Sequence, residues 1–114
     1  MFTYRCSMSA NLNAVNQQQR QAVYEALARA GWKKIDTHEI EVSTVWVRSF
    51  ELGENLSREI RANTLVNNFN NAFKTVKVPP RAELHMVVQF GNSSHFEIEF
   101  DAAPMGVLMV TSCV

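Results

Sequence analysis

The densest run of side chains able to do chemistry is Asp36, His38, Glu39 and Glu41. In extended backbone Asp36 and His38 share a face, since side chains alternate with a period of two. Such a pair could hold a metal or act as general acid and base. The same run also reads as a solvated polar edge or loop, where neighbouring charges are common, and that reading is preferred. His85 falls on the outward face of an alternating segment and His95 stands beside a turn, so both read as solvated. Ser7 and Ser9 follow one another on one strand face, but no base in the sequence is placed to activate either. Cys6 and Cys113 lie at opposite ends of the chain, with neither CxxC nor metal-ligand spacing; a single disulfide joining the termini is one reading, and reduced thiols are the simpler one. The glycines at 31, 53, 91 and 106 are too scattered for a phosphate loop, and neither GxSxG nor HExxH occurs. No metal, no cofactor and no catalytic residue is expected from these patterns.

The aromatic residues are more informative. Trp46, Arg48 and Phe50 alternate along one face of a strand, and Phe2 and Tyr4 share a face of another. Three readings of Tyr4, Trp46, Arg48 and Phe50 are open. They form a dimer interface, because burial against a second copy removes a large apolar patch from water. They form an open platform on which RNA bases stack, as on RNA-recognition motifs of similar topology, although the glycine-containing motif of those proteins is missing from Trp46-Val47-Arg48-Ser49-Phe50. Or they are core beneath helices. The dimer interface is the expectation. On the RNA reading, Arg58, Arg61, Lys74 and Lys77 are available for phosphates.

These residues must be positioned by a small set of elements. Residues 2–9 alternate like a strand. Leu12, Val15, Ala22, Val23, Ala26, Leu27 and Ala30 recur at helical spacing, with Asn11 or Asn13 as cap and Gly31 as stop, predicting a helix over 12–30. Residues 32–42 are mixed and extended. Residues 44–52 form a strand apolar on both faces, hence central. Asn55 caps a second amphipathic helix from Leu56 to Val76, ended by Pro79-Pro80. Residues 82–90 and 96–101 alternate around Gly91-Asn92-Ser93-Ser94, which reads as a hairpin. The uncharged tail 102–114 carries Val107–Thr111, which must pair as an edge strand in its own sheet or, by exchange, in a partner's.

The expectation is therefore one α+β domain over residues 1–114, β-α-β-β-α-β-β, with both helices on one face of an antiparallel sheet, the ferredoxin-like two-layer sandwich. At 114 residues and 46% hydrophobic the chain can build a core. Eleven basic and eleven acidic residues balance, which disfavours a partner held by charge alone, such as RNA. The balance is uneven along the chain. Up to Arg81 there are eleven basic and seven acidic residues, and beyond it only Glu83, Glu97, Glu99 and Asp101. Self-complementarity, within the monomer or across a dimer, is the simpler reading. No segment approaches the roughly 20 apolar residues of a membrane span, and the start Met1-Phe2-Thr3-Tyr4-Arg5 lacks a signal peptide's apolar run, so a cytoplasmic protein with no membrane partner is expected.

The order of elements, the length and the apolar C-terminal strands resemble small ferredoxin-like proteins of bacterial defence and toxin–antitoxin systems, of the CRISPR integration-subunit and GhoS-antitoxin kinds. The CRISPR subunits place an acidic metal-binding residue at the end of the first strand, where this chain reads Cys6-Ser7-Met8-Ser9. The resemblance thus implies no metal-dependent nuclease and transfers no catalytic residue. The expected function is a non-enzymatic, dimeric module that binds a macromolecule or regulates one, with a protein partner or a second copy as ligand. The alternative is an RNA-binding protein or endoribonuclease of the toxin–antitoxin kind.

Overall fold

The computed structural model describes residues 1–35, 44–92 and 94–114. The expected cluster Asp36, His38, Glu39 and Glu41 lies outside the described residues. The elements run β1 (Phe2–Asn13), α1 (Gln17–Arg29), β2 (Lys33–Ile35), β3 (Thr44–Leu52), α2 (Arg58–Phe73), β4 (Glu83–Phe90), β5 (Ser94–Ala102) and β6 (Leu108–Cys113). The six strands form one antiparallel sheet in the order β2-β3-β1-β4-β5-β6, and both helices pack on one face of it. The chain is α+β with two layers, and among the described residues it has one strand more than the pattern of spacing suggests.

The first strand runs past residue 9 because its inward alternation, Cys6, Met8, Ala10, Leu12, does not stop there. Leu12 pairs with Leu84 across β1 and β4. Ala14 then takes a positive φ of 62°, and Asn16, not Asn11 or Asn13, caps α1. Asn16 Oδ1 accepts from the Gln19 amide at 2.8 Å while Gln19 Oε1 accepts from the Asn16 amide at 2.9 Å, a reciprocal capping box. The second helix likewise starts later than Asn55. Asn55 turns the chain with φ 56°, and Ser57 Oγ accepts from the Ile60 amide at 3.2 Å. That helix ends at Phe73, short of Val76. Val76 and Val78 are buried in an extended stretch whose Lys77 bridges to Val107.

The end of α1 is the tightest joint. Gly31 has φ +97°, which favours glycine, and a Cβ there would crowd the Arg48 side chain, 3.0 Å from its Nε. The Ala30 carbonyl, one of the groups a helix terminus leaves unpaired, accepts from Arg48 at 2.6 Å and from Asn68 Nδ2 at 3.3 Å. Asn68 Oδ1 accepts in turn from Trp32 Nε1 at 2.8 Å. One carbonyl and one amide thereby tie α1, α2 and β3 together.

The core lies between the helices and one sheet face. Phe69, fully buried, stacks on Trp32 with centroids 5.4 Å apart and meets Phe100 edge-on at 5.7 Å. The tail pairs within its own chain: Phe100 faces Val110 and Ala102 faces Leu108, after a bulge between Glu99 and Phe100. Val110 N–H, on the outer edge of β6, donates to Asn70 Oδ1 of α2 at 3.1 Å. Cys6 on β1 and Cys113 on β6 are free thiols separated by β4 and β5. Three strand spacings, about 14 Å, are far beyond disulfide reach. No helix among the described residues is long and apolar enough to cross a membrane.

Candidate interaction surface

The aromatic residues expected on an exposed face lie on the covered one. Register pairs Tyr4 with Phe50, Cys6 with Arg48 and Met8 with Trp46, and all six side chains point toward the helices. Trp46 is 3% exposed and Phe50 7%, so neither is available to stack a base or meet a second copy. Tyr24 of α1 covers Trp46 at 5.7 Å, and Phe50 stacks on Phe90 at 5.8 Å. Tyr4 is half-buried, its hydroxyl donating to the Gly53 carbonyl at 2.9 Å. Arg48 is a roof over this core. Its guanidinium lies 4.1 Å from the Phe50 ring centre, and burial pulls its pKa below the usual arginine value. Of the three readings of these residues, the structure fits core beneath helices; β3 is apolar on both sides, so alternation alone does not say which side the helices take.

The four expected phosphate contacts are not brought together. Arg58 and Arg61 stand in the first turn of α2, and Lys74 and Lys77 follow its end, with roughly 20 Å of helix between Arg61 and Lys74. Arg58 lies 4.2 Å over the Phe96 ring and donates to the His95 carbonyl at 2.7 Å. Arg61 donates to Ser94 Oγ and lies over Tyr4 at 5.5 Å. Lys77 Nζ donates to the Met105 carbonyl at 3.0 Å, and Lys74 is exposed.

The uncovered face is polar and divided by charge. One cross-strand row reads Lys33, Val47, Ser7, Gln89, His95 from β2 to β5. Above it stand Ser49 and Arg5, and the Gly91 amide donates to the Arg5 carbonyl at 2.9 Å. Below it run Ile35, Val45, Ser9, Val87 and Glu97, and then Asn11, His85 and Glu99, with Glu83 and Asp101 paired in the last row. Basic Arg5 and Lys33 therefore occupy one half, with the exposed Glu51 opposite Thr3 at its far edge, and Glu83, Glu97, Glu99 and Asp101 occupy the other. Between them lie small and apolar groups, of which Ile35 and Val87 are each more than two-fifths exposed. His85 is 3.9 Å from the Glu83 carboxylate and 3.8 Å from that of Glu99. The acidic C-terminal segment of the sequence is thus one side of one surface.

At the basic corner is a concavity of about 630 Å³ lined by Arg5, Ser7, Lys33, Ser49, Gln89 and Gly91 among others, with no carboxylate in its lining. Spacing marks Ser7 only as a nucleophile without a base and Gly91 only as a turn residue, and it gives Arg5, Lys33 and Gln89 no role. The alternation Thr3, Arg5, Ser7, Ser9 opposite Tyr4, Cys6, Met8 was the available signal, since it marks the polar side of a central strand.

Chemistry by the thiols is disfavoured by their surroundings. Burial pushes Cys6 up to about 11, and it raises Cys113 as well. Among the described residues no group of three or more His, Cys, Asp or Glu is arranged to hold a metal ion. No protein-family model, curated protein or solved structure matches the chain.

Proposed function

We propose that the chain is a non-enzymatic, cytoplasmic binding module of ferredoxin-like fold that works as a homodimer, with the uncovered sheet face meeting the same face of a second copy. The strand order supports the fold: β3 lies between β2 and β1, and β1 between β3 and β4, which is the split βαβ arrangement, extended by β5 and β6. The resemblance to small bacterial defence and toxin–antitoxin proteins supports a regulatory role for the assembly.

The observation that carries the dimer is the charge division of that face. A two-fold axis lying across the sheet near Ser9 and Val87 exchanges its halves, so that Arg5 and Lys33 of each copy face Glu97 and Glu99 of the other. Ser7, Ser9, Val45 and Val87 are short enough to let the sheets approach. Five strand spacings of ~4.8 Å by about eight residues of ~3.4 Å give roughly 650 Å² per copy. That is the lower end of a standard interface, suited to a reversible dimer. The buried thiols and the internally bonded arginines favour binding over catalysis.

Sedimentation equilibrium of the full chain tests this. The expected result is a concentration-dependent dimer that weakens as salt screens the opposed charges. Arg5→Glu with Lys33→Glu should give a monomer, and adding Glu97→Lys with Glu99→Lys should restore the dimer. A monomer at every concentration in low salt, or a dimer indifferent to both sets of changes, overturns the reading. Saturable binding of single-stranded RNA by the monomer would favour the alternative instead.

A further inference from the structure

We infer that the concavity at the basic corner of the uncovered face is a binding site for a phosphate-bearing small molecule. Its volume, about 630 Å³, is that of a small-ligand pocket. Its construction follows from register. Ser7 on β1 and Ser49 on β3 place short side chains there, and Gly91, just past the end of β4, has none, where long ones would fill the space. Arg5, Lys33 and Gln89 stand around them. The lining therefore supplies two exposed cations and two hydroxyls, beside the Gln89 amide that donates to the Gly91 carbonyl at 3.2 Å, and no carboxylate to repel an anion. Arg48 also lines the concavity, although its head is held on the covered side by the Ala30 carbonyl. A guanidinium and an ammonium a few side chains apart suit the several oxygens of a phosphate or diphosphate group, with hydroxyls to complete its hydrogen bonds.

Arg5 and Lys33 have no carboxylate partner among the described residues, in contrast to Arg48, Arg58 and Arg61, which are all engaged within the chain. The same surface argues for a small ligand over a nucleic-acid strand. A polyanion lying along the face would run on to Glu97, Glu99 and Asp101, whereas a compact phosphate ends within two cross-strand rows.

The site borrows Arg5 and Lys33 from the proposed dimer interface, so a bound phosphate and a second copy exclude one another. The test is a titration of the full-length protein with inorganic pyrophosphate, followed by amide chemical shifts and run beside sodium chloride at matched ionic strength. Saturable shifts at Ser7, Ser49, Gln89 and Gly91 are expected with pyrophosphate and not with chloride. Arg5→Ala with Lys33→Ala should weaken binding about tenfold or more, because the charge-assisted bonds are lost. Ser49→Glu, which leaves both cations in place, should weaken it similarly by repulsion. These side chains are exposed, so the variants keep the wild-type spectrum elsewhere. Non-saturating shifts, an equal response to chloride, undiminished affinity in both variants, or tighter binding of single-stranded RNA than of pyrophosphate would each overturn the site. The dimer reading fails separately: a chain that sediments as a monomer throughout yet titrates with pyrophosphate loses the dimer and keeps the site.

Discussion

Arg5 and Arg48 stand on neighbouring strands one residue out of register, with Arg48 opposite Cys6 and Arg5 opposite Ser49, and they meet opposite fates. Arg48 points to the covered side, lies on Phe50 and donates to the end of α1. Arg5 points to the uncovered side, where it is exposed beside serines. The pattern Trp46, Arg48, Phe50 looks like a recognition platform because an arginine on an otherwise apolar strand face suggests solvent. An arginine can also cover a core with its stem and ring contacts while its head finds a carbonyl. The difference between the faces lies in what the polar head is bonded to.

The largest contrast should come from apolar truncation. Phe69→Ala removes the ring held between Trp32 and Phe100 in a fully buried site, and it should cost about 3–5 kcal/mol in chemical denaturation. Val87→Ala on the uncovered face should cost under about 1 kcal/mol, since the side chain is already largely in water. Equal losses would mean that the uncovered face is as buried as the core, which a tight dimer would produce, so the pair is measured at a concentration where the chain is monomeric.

A second contrast is in pH dependence. Cys6 is neutral and buried, with its pKa raised from 9.0 to about 11. A folded pKa above the unfolded one means that the stabilisation is full below pH 9 and is lost as pH rises through 11. The loss should reach about 3 kcal/mol at most. Cys6→Ala should lack that alkaline decline. If wild type and variant fall in parallel between pH 9 and 11, the thiol is not the cause.

Next in size is the roof arginine. Arg48→Met keeps the stem over Phe50 but leaves the Ala30 carbonyl with Asn68 alone, and a hydrogen bond from a charged donor is lost. The expected cost is about 1–2 kcal/mol by urea denaturation, with a matching rise in amide exchange at the end of α1.

How far the sequence reveals all this varies by element for physical reasons. The two helices, the hairpin and the bounds of β3 follow from apolar period, turn residues and breakers, which act locally. The start of α1 did not, because Leu12 satisfies the strand's period and the helix's equally, and pairing with Leu84 decides it. The ends of α2 were displaced by a turn at Asn55 and by Val76 and Val78 reaching the core in extended form. The side of the sheet the helices cover is a tertiary fact, invisible in a strand such as β3 with Val45 and Val47 on one face and Trp46 and Phe50 on the other. Once that side was inverted, the expected site residues went with it. The charge division survived because it rests on composition along the chain, and sheet order then placed its acidic part on β4 and β5 beyond the basic corner.

The smallest expected effect is the one that separates a binding residue from a structural one. Arg5→Met should change stability by less than about 0.5 kcal/mol, because an exposed side chain with no hydrogen bond, ring or carboxylate among the described residues leaves nothing unpaired when removed. Its effect should appear only in association: a weaker dimer in low salt and weaker pyrophosphate binding. A loss of stability comparable to that of Arg48→Met would mean that Arg5 is engaged within the fold after all. The contrast between the two arginines, and with it the assignment of a free basic corner, would then collapse.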